Sequence, residues 1–247
     1  MSATLRKRLW GHQDRAAKPR FLYSHSLLAD LPRHQWAKLQ VGSKPKLVRK
    51  GDALFLRGAP SDGFYVLRSG YVRVSIVSRA GVERILAVLG PGASIGEPAL
   101  LDDLPRAANV HALTDCQVLT IERSRFTAWL REEPAAEPLL LRLLMREVRG
   151  VAEEAIVMSF LSDRGRAARS LLQLAATIGH PAARGRVEIP YPIKHAELAA
   201  MAGVTRESVT RFIGQWRRRR LLTLSMRGTI LLNEADFDAS VAEETNP

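Results

Sequence analysis

The sequence has very little cysteine and no long apolar segment, and each absence excludes a class of protein. Cys116 is the only cysteine among 247 residues, so neither a disulfide framework within the chain nor a cluster bound by several thiolates is possible. No run reaches the ~20 apolar residues that a membrane span needs. The N-terminus carries charges without the apolar segment of a signal peptide. We therefore expect a cytoplasmic protein with no membrane span, in which Cys116 is a buried strand thiol.

Signatures of catalysis and of metal binding are absent too. The sequence has no HExxH motif, no Walker-type loop and no recognisable pairing of a nucleophile with a base. His111 stands alone where a haem would need axial ligands, and we interpret it as an ordinary strand residue. These features predict that the protein is not an enzyme and holds no metal ion.

Basic residues outnumber acidic ones and are concentrated near the two ends. The net charge is +12 and the pI is about 10.6, which indicates a polyanionic partner, either nucleic acid or an anionic membrane. Residues 1–20 carry six basic groups against Asp14 and are predicted to form a flexible arm. Residues 194–228 carry eight basic groups against two acidic ones.

Residues 46–123 alternate short apolar runs with glycine-containing turns, which is typical of an antiparallel sandwich or barrel. Val72, Val74 and Ile76 alternate with polar residues, as in a strand with one face in water. The expected strands are 46–49, 54–56, 64–67, 72–77, 85–89, 110–112 and 118–121. One or two short helices before them are predicted from Leu27, Leu28, Leu31, Trp36 and Leu39.

From about residue 134 the apolar spacing becomes helical. A heptad seam runs through Leu141, Leu144, Val148, Val151, Ala155 and Met158. The seam favours a dimerisation helix over 134–162, with a helix packed against its own sheet as the alternative. Further along we expect a helix over 166–178, a loop or hairpin over 179–192, and two short strands within 226–233 that turn at Arg227-Gly228 as the wing of a winged helix.

Residues 195–214 meet the positional demands of a helix-turn-helix. Gly203 lies between helices expected at 195–202 and 205–219, at a turn where a left-handed backbone costs glycine least. Thr205 is a good N-cap for the second helix. The small core between the helices is predicted to contain Leu198, Ala199, Ala202, Val204, Val209 and Phe212.

The second helix of this pair presents side chains that can read base edges. Arg206 can donate two hydrogen bonds to guanine, and Glu207 can accept one from cytosine. The basic run at 217–220 is predicted to contact phosphate, with solvated surface charge as the alternative. The predicted DNA contacts are Thr205, Arg206, Glu207, Ser208, Thr210, Arg211, Arg217 and Arg218.

A second constellation lies in the first half of the chain. Gly96 opens a short helical turn whose free N–H groups can bind an anion. Arg106 closes the following loop and can pair with a phosphate through two parallel hydrogen bonds. The Glu97 carboxylate suits a ribose hydroxyl. Chemistry alone is equally compatible with Glu97 on the surface and Arg106 in a solvated ion pair with Asp102 or Asp103.

Residues about 25–235 resemble the CRP/FNR family of dimeric transcription regulators. The segment 206–211 is similar to the family's recognition helix, and 96–110 is similar to the phosphate-binding cassette of cyclic-nucleotide-binding domains. The resemblance implies an α+β fold with a jelly-roll-like antiparallel β-roll over 21–133, the dimerisation helix, and a winged helix-turn-helix over 163–240. It also implies a homodimer that bends double-stranded DNA at inverted repeats with TGTGA-like half-sites, and RNA polymerase as a partner.

The cassette resemblance implies a role for each residue. Glu97 would hold the ribose 2′-hydroxyl, and Arg106 would hold the cyclic phosphate. Backbone contacts and close approach would come from Gly96, Ala99 and Ala107, and the base pocket from Val74 and Leu89. The Pro-Arg-Ala-Ala spelling at 105–108 is nearer to kinase-type domains than to the bacterial catabolite activator.

One position departs from the family. In the bacterial catabolite activator, a Thr-Ser pair on the long helix reads the adenine amino group. Val151 and Ala152 occupy the corresponding positions in this sequence, and their side chains cannot hydrogen-bond. The expected effector is cAMP, or else cGMP, acting allosterically on DNA affinity. Two alternatives stay open: a ligand-independent regulator with a vestigial pocket, and a cyclic-nucleotide-binding signalling module that acts on a protein partner.

Overall fold

In a computed structural model, the chain forms two compact units that are separated after Val151. The structure describes residues 31–225, 228–233, 236 and 237, so the predicted arm, Leu27 and Leu28 lie outside the described part. The helices are α1 (Arg33–Leu39), α2 (Pro98–Leu101), α3 (Arg123–Glu132), α4 (Ala136–Phe160), α5 (Asp163–Ile178), α6 (His195–Ala202) and α7 (Arg206–Arg218). The strands are β1 (Lys44–Val48), β2 (Ala53–Phe55), β3 (Gly63–Ser69), β4 (Val72–Val77), β5 (Glu83–Leu89), β6 (Ser94–Ile95), β7 (Asn109–Ala112), β8 (Cys116–Glu122), β9 (His180–Ala182), β10 (Arg186–Ile189), β11 (Leu222–Leu224) and β12 (Ile230–Leu232).

The first unit is a β-roll of two four-stranded antiparallel sheets, in the orders β1-β8-β3-β6 and β2-β7-β4-β5. This confirms the predicted α+β class, and all seven predicted strands are present within two residues of their expected ends. Val72 and Val74 contribute to the core between the sheets, as their alternation predicted. The alternation is wrong beyond them, because a bulge between Val74 and Ser75 buries Ser75, which was predicted on the wet face. Cys116 is buried at the start of β8, and burial raises the pKa of its thiol.

Helices cover the outer face of the first sheet. Phe126 and Trp129 of α3 pack with Phe64 of β3 in a second apolar core. The Trp129 indole is fully buried and donates to Oε1 of Gln35 in α1 at 2.6 Å. Helix α3 was not predicted, because its few apolar residues stand among arginines and glutamates and give too short a helical period to recognise.

The long helix α4 has two apolar stripes. Leu140 and Leu143 are buried in the same core as the first sheet, so the start of α4 packs on its own β-roll. The predicted seam lies on other faces, and its residues are exposed or half-buried. Near the end of α4, Glu154 accepts two hydrogen bonds from Arg169 of α5, at 2.7 and 3.2 Å. No helix in the described ranges is both long and apolar enough to cross a membrane.

The second unit joins α5, α6 and α7 to a four-stranded antiparallel sheet in the order β11-β12-β10-β9. The segment 179–192 contains the hairpin of β9 and β10, one of the two predicted forms. Helix α5 begins three residues earlier than predicted, because the Ser162 hydroxyl caps it by accepting from the N–H of Gly165.

The predicted position of the wing strands is wrong. The hairpin pairs Leu224 with Ile230, so its first strand ends before residue 226 and only the second strand lies within 226–233. Gly228 has φ +77° in that loop, while Arg227 lies outside the described residues. The first strand starts earlier because Leu222 is needed in the core, where its side chain is buried.

Candidate functional site

The cassette turn depends on a glycine. Gly96 has φ +93°, and a Cβ built there would lie 2.4 Å from Nη1 of Arg106. Both the left-handed backbone and the close approach of the guanidinium therefore require glycine. The turn leads from β6 into α2, with Glu97 as the residue before the helix.

Arg106 is the central cation of this region, and its side chain is only 2% exposed. It donates to the carbonyls of Gly96 and Gly63 at 2.8 and 2.7 Å, and Nη2 lies 3.7 Å from the exposed Asp62 carboxylate. Its Nε is buried and has no hydrogen-bond partner. The alternative of a solvated ion pair with Asp102 or Asp103 is therefore wrong.

Two aromatic rings lie against this guanidinium. Its carbon lies 4.3 Å from the ring centre of Phe55 and 5.7 Å from that of Tyr65, and the two rings stack 6.0 Å apart. Burial lowers the pKa of Arg106, while the neighbouring Tyr65, Asp62 and Glu97 raise it. An arginine remains charged in proteins despite such a shift, so the site keeps a buried positive charge. Neither ring was among the predicted site residues, because the sequence around both is that of an ordinary strand.

Glu97 is buried, which overturns the alternative of a surface carboxylate. The hydroxyl of Ser94, also buried, donates to Oε1 of Glu97. The carboxylate of Glu97 and the guanidinium of Arg106 are thus both buried, and the guanidinium contacts Gly96, the residue before Glu97. Ser94 was not among the predicted site residues, because one hydroxyl in a two-residue strand gives no pattern.

A second arginine, Arg123 at the start of α3, fastens the cassette from outside. It donates to the carbonyl of Ala99 at 3.0 Å and pairs with the carboxylate of Asp103. Asp103 has φ +55°, a left-handed conformation unusual for a residue with a side chain. Arg123 was not among the predicted site residues, because the helix that carries it has no recognisable sequence pattern.

The other predicted ligand residues lie on α2, in the loop after Arg106, on strands β4 and β5, and on α4. Ala99 is buried in α2, whereas Ala107 is exposed after Arg106. Val74 and Leu89 lie on neighbouring strands and belong to the core inside the β-roll. On α4, Val151 is half-buried and Ala152 is exposed.

Replacing Gly96 with alanine tests whether the close approach of the Arg106 guanidinium to this glycine matters, and Gly92 provides a matched control. Gly92 has φ +92°, but a Cβ there meets no atom within 4 Å. We expect Gly92→Ala to cost only backbone strain, roughly 1–2 kcal/mol of unfolding free energy. Gly96→Ala should cost more and should also weaken cyclic-nucleotide binding, because it displaces Arg106. Thermal unfolding and calorimetric titration of both variants measure this, and equal losses in the two would contradict it.

The helix-turn-helix has the predicted geometry. Gly203 ends α6 with φ 67° and ψ 42°, and the side chain of Thr205 caps α7 by accepting from the N–H of Ser208 at 3.1 Å. The predicted inter-helix residues Leu198, Ala199, Ala202, Val209 and Phe212 are buried, and Val204 is half-buried. A rigid pair of helices therefore supports one exposed face of α7.

That exposed face carries the predicted base-reading side chains. Arg206, Glu207, Thr210 and Arg211 are exposed, as are Thr205, Arg217 and Arg218, and Ser208 is half-buried. The Thr210 hydroxyl donates to the carbonyl of Arg206 at 3.0 Å and lies 2.9 Å from Nδ1 of His195. This contact ties the first residue of α6 to the recognition face. His195 was missed, since a lone histidine carries no sequence signal.

Models of two protein families match the two halves of the chain. Residues 45–133 match the cyclic nucleotide-binding domain, and residues 165–237 match the Crp-like helix-turn-helix domain. The first match contains the cassette and the second contains α6 and α7, so each match coincides with one of the regions described above.

Individual proteins and a solved structure match the chain as well. The cyclic AMP receptor protein of Thermus thermophilus is 34% identical over 197 residues, which cover 80% of this chain and 87% of that protein. A cAMP-dependent protein kinase regulatory subunit of Yarrowia lipolytica is 36% identical over 115 residues, 47% of this chain and 30% of that protein. The solved structure of a CRP/FNR-family regulator from Thermus thermophilus has a TM-score of 0.63 at 25% identity, covering 82% of this chain and 100% of that one. With its two matched domains and these relatives, the chain belongs to the CRP/FNR family of transcription regulators.

Proposed function

We propose that the protein is a homodimeric, sequence-specific DNA-binding regulator whose DNA affinity is controlled by a cyclic nucleotide. The observation that carries the ligand part is Arg106, a buried guanidinium whose Nε has no hydrogen-bond partner and whose Nη1 donates to the carbonyl of Gly96. A buried donor without a partner is rare in native structures and calls for an explanation. A bound phosphate would supply the missing acceptor.

The proposed effector is cAMP, with cGMP as the alternative. The Arg106 guanidinium would hold the cyclic phosphate and the buried Glu97 carboxylate would accept from the ribose 2′-hydroxyl, with Gly96, Ala99 and Ala107 alongside. Val74 and Leu89 offer apolar packing to a base. Val151 and Ala152 cannot hydrogen-bond to a base edge, so they offer no means of separating adenine from guanine. The relatives named for cAMP support the first choice.

Calorimetric titration of ligand-stripped protein with cAMP and then with cGMP tests this assignment. We expect saturable binding of at least one nucleotide, and the tighter one names the signal. Absence of heat and of any thermal shift with both would show that the pocket is vestigial or serves another ligand, and would leave only the DNA-binding half of the proposal.

The proposed homodimer contact is the seam of α4, with a second copy of this chain as its occupant. Three large apolar side chains of this seam are exposed, Leu141, Leu144 and Val148, and Met145, Ile156 and Phe160 of α4 are exposed as well. The heptad spacing of the seam matches pairing between two equivalent helices. A dimer would also place two recognition helices on an inverted repeat.

The proposed DNA contacts are those of α7 together with the basic residues at its end. We expect Arg206→Ala to relax specificity at one base pair by about 1–3 kcal/mol, because a bidentate contact to guanine would be lost. Arg217→Ala is the matched comparison, and it should weaken binding about equally on all sequences. Fluorescence anisotropy on a set of single-base operator variants distinguishes the two. A uniform loss for Arg206→Ala would show that it contacts phosphate instead.

The remaining parts of the proposal follow from a DNA-bound regulator. The protein would act in the cytoplasm, where bacterial DNA lies, and RNA polymerase would be its further partner. The proposed organisation comprises a basic arm over 1–20, the β-roll over 21–133, the dimerisation helix over 134–162 and the DNA-binding domain over 163–240. No metal ion and no catalytic step are invoked.

A further inference from the structure

Ser94 is a buried hydroxyl three residues before Glu97. It lies in β6 opposite Val66 of β3, only 2% exposed, and it donates to Oε1 of the Glu97 carboxylate. Both side chains are buried, so their contact is made away from bulk water. Hydrogen bonds to ionised acceptors in such surroundings are among the stronger ones in proteins.

We propose that Ser94 is a positioning residue that fixes the Glu97 carboxylate for a ribose 2′-hydroxyl, and thereby sets a preference for ribonucleotides over 2′-deoxyribonucleotides. This inference rests on the proposed cyclic-nucleotide function. An ionised carboxylate accepts at about four lone-pair sites on its two oxygens, so the bond from Ser94 takes up only part of the acceptor capacity of Glu97.

The geometry explains why a fixing contact is needed. Glu97 precedes α2, a helix of only four residues, and its side chain makes no capping hydrogen bond to it. A glutamate has three side-chain torsions, and ordering them on binding would cost entropy. The Ser94 hydroxyl holds the carboxylate before ligand arrives, so this cost is already met in the free protein.

The discriminating experiment is a comparison of two ligands on Ser94→Ala. Calorimetry gives the affinities of the wild type and the variant for cAMP and for 2′-deoxy-cAMP. We expect the ratio between these affinities to fall about tenfold in the variant, the size of one hydrogen bond to a charged group. The affinity for 2′-deoxy-cAMP itself should change little, because that ligand has no 2′-hydroxyl to donate to the Glu97 carboxylate.

Ser75 provides the matched control. Its side chain is also fully buried in the β-roll, but its Oγ has no hydrogen-bond partner. Ser75→Ala should leave the ratio of affinities at the wild-type value. Ser94→Cys, whose thiol is a poor donor, replaces Ser94→Ala if alanine prevents folding.

The outcomes separate the two proposals. A reduced ratio in Ser94→Ala with an unchanged ratio in Ser75→Ala supports the positioning role. Equal losses for both nucleotides would overturn it while leaving cyclic-nucleotide binding intact. If the wild type binds cGMP and not cAMP, the same comparison is made with cGMP and 2′-deoxy-cGMP. Failure of the wild type to bind either cAMP or cGMP would overturn both this role and the proposed effector.

Discussion

Replacing Arg106 with alanine is expected to weaken cyclic-nucleotide binding by about 2–5 kcal/mol, roughly thirtyfold to several thousandfold, if the guanidinium pairs with a desolvated phosphate. The same change should destabilise the free protein. Arg106 donates to the carbonyls of Gly63 and Gly96. The Gly63 carbonyl also accepts from the Ser61 hydroxyl at 3.3 Å, so the loss of Arg106 takes away the donor of the Gly96 carbonyl. One such unsatisfied group costs about 1–3 kcal/mol.

Two further variants separate the ligand effect from the stability effect. Arg106→Lys keeps a positive charge but lacks the planar fork, so it should recover part of the stability and little of the affinity. Arg84→Ala removes an exposed arginine from β5 of the same β-roll and should change neither quantity. Calorimetric titration and chemical denaturation measure both effects. An unchanged affinity in Arg106→Ala would remove it from the ligand site.

The second large effect is expected at the ion pair between Glu154 and Arg169. The side chains are 7% and 15% exposed, and they join the end of α4 to α5 through two hydrogen bonds. Removing Glu154 leaves an arginine in a largely buried position without this partner. We expect Glu154→Ala to lower the free energy of unfolding by about 3–5 kcal/mol, as for other buried pairs from which one member is removed.

A solvent-exposed pair supplies the comparison. Glu132 lies 3.4 Å from Arg125, and its side chain is 56% exposed, so Glu132→Ala should cost at most about 1 kcal/mol. The double variant Glu154→Leu with Arg169→Met should recover much of the loss, because no buried charge then remains. Chemical denaturation measures all three. If Glu154→Ala costs no more than Glu132→Ala, the pair contributes nothing beyond a surface contact.

Elements with a strong period could be predicted from the sequence. The alternation in 72–77 placed β4 with both its ends correct, and Gly203 with Thr205 placed the turn and the cap of the helix-turn-helix. Helix α3 could not be found, because it is held by Phe126 and Trp129 packing on a distant strand and not by its local pattern. The wing strands were misplaced for a similar reason, since the burial of Leu222 is a tertiary effect.

The candidate site divides in the same way. Gly96, Glu97 and Arg106 could be named, because a glycine turn followed by an arginine loop is a local motif. Phe55, Tyr65, Ser94 and Arg123 reach the same region from other strands and from α3, so only the folded structure reveals them. The residue types alone did not decide whether Glu97 and Arg106 are buried or exposed. Their burial in the structure excludes a solvated surface ion pair and favours a candidate anion site.

The most direct test of nucleotide-controlled DNA binding is the affinity for DNA with and without ligand. Fluorescence anisotropy, at one fixed salt concentration because phosphate contacts are salt-dependent, would use an inverted-repeat DNA selected from a random pool by the full chain. We predict that a saturating cyclic nucleotide changes the affinity of the wild type for this DNA. The affinity of the Arg106→Ala variant for the same DNA should stay unchanged. A wild-type affinity that is the same with and without cAMP or cGMP would contradict nucleotide control.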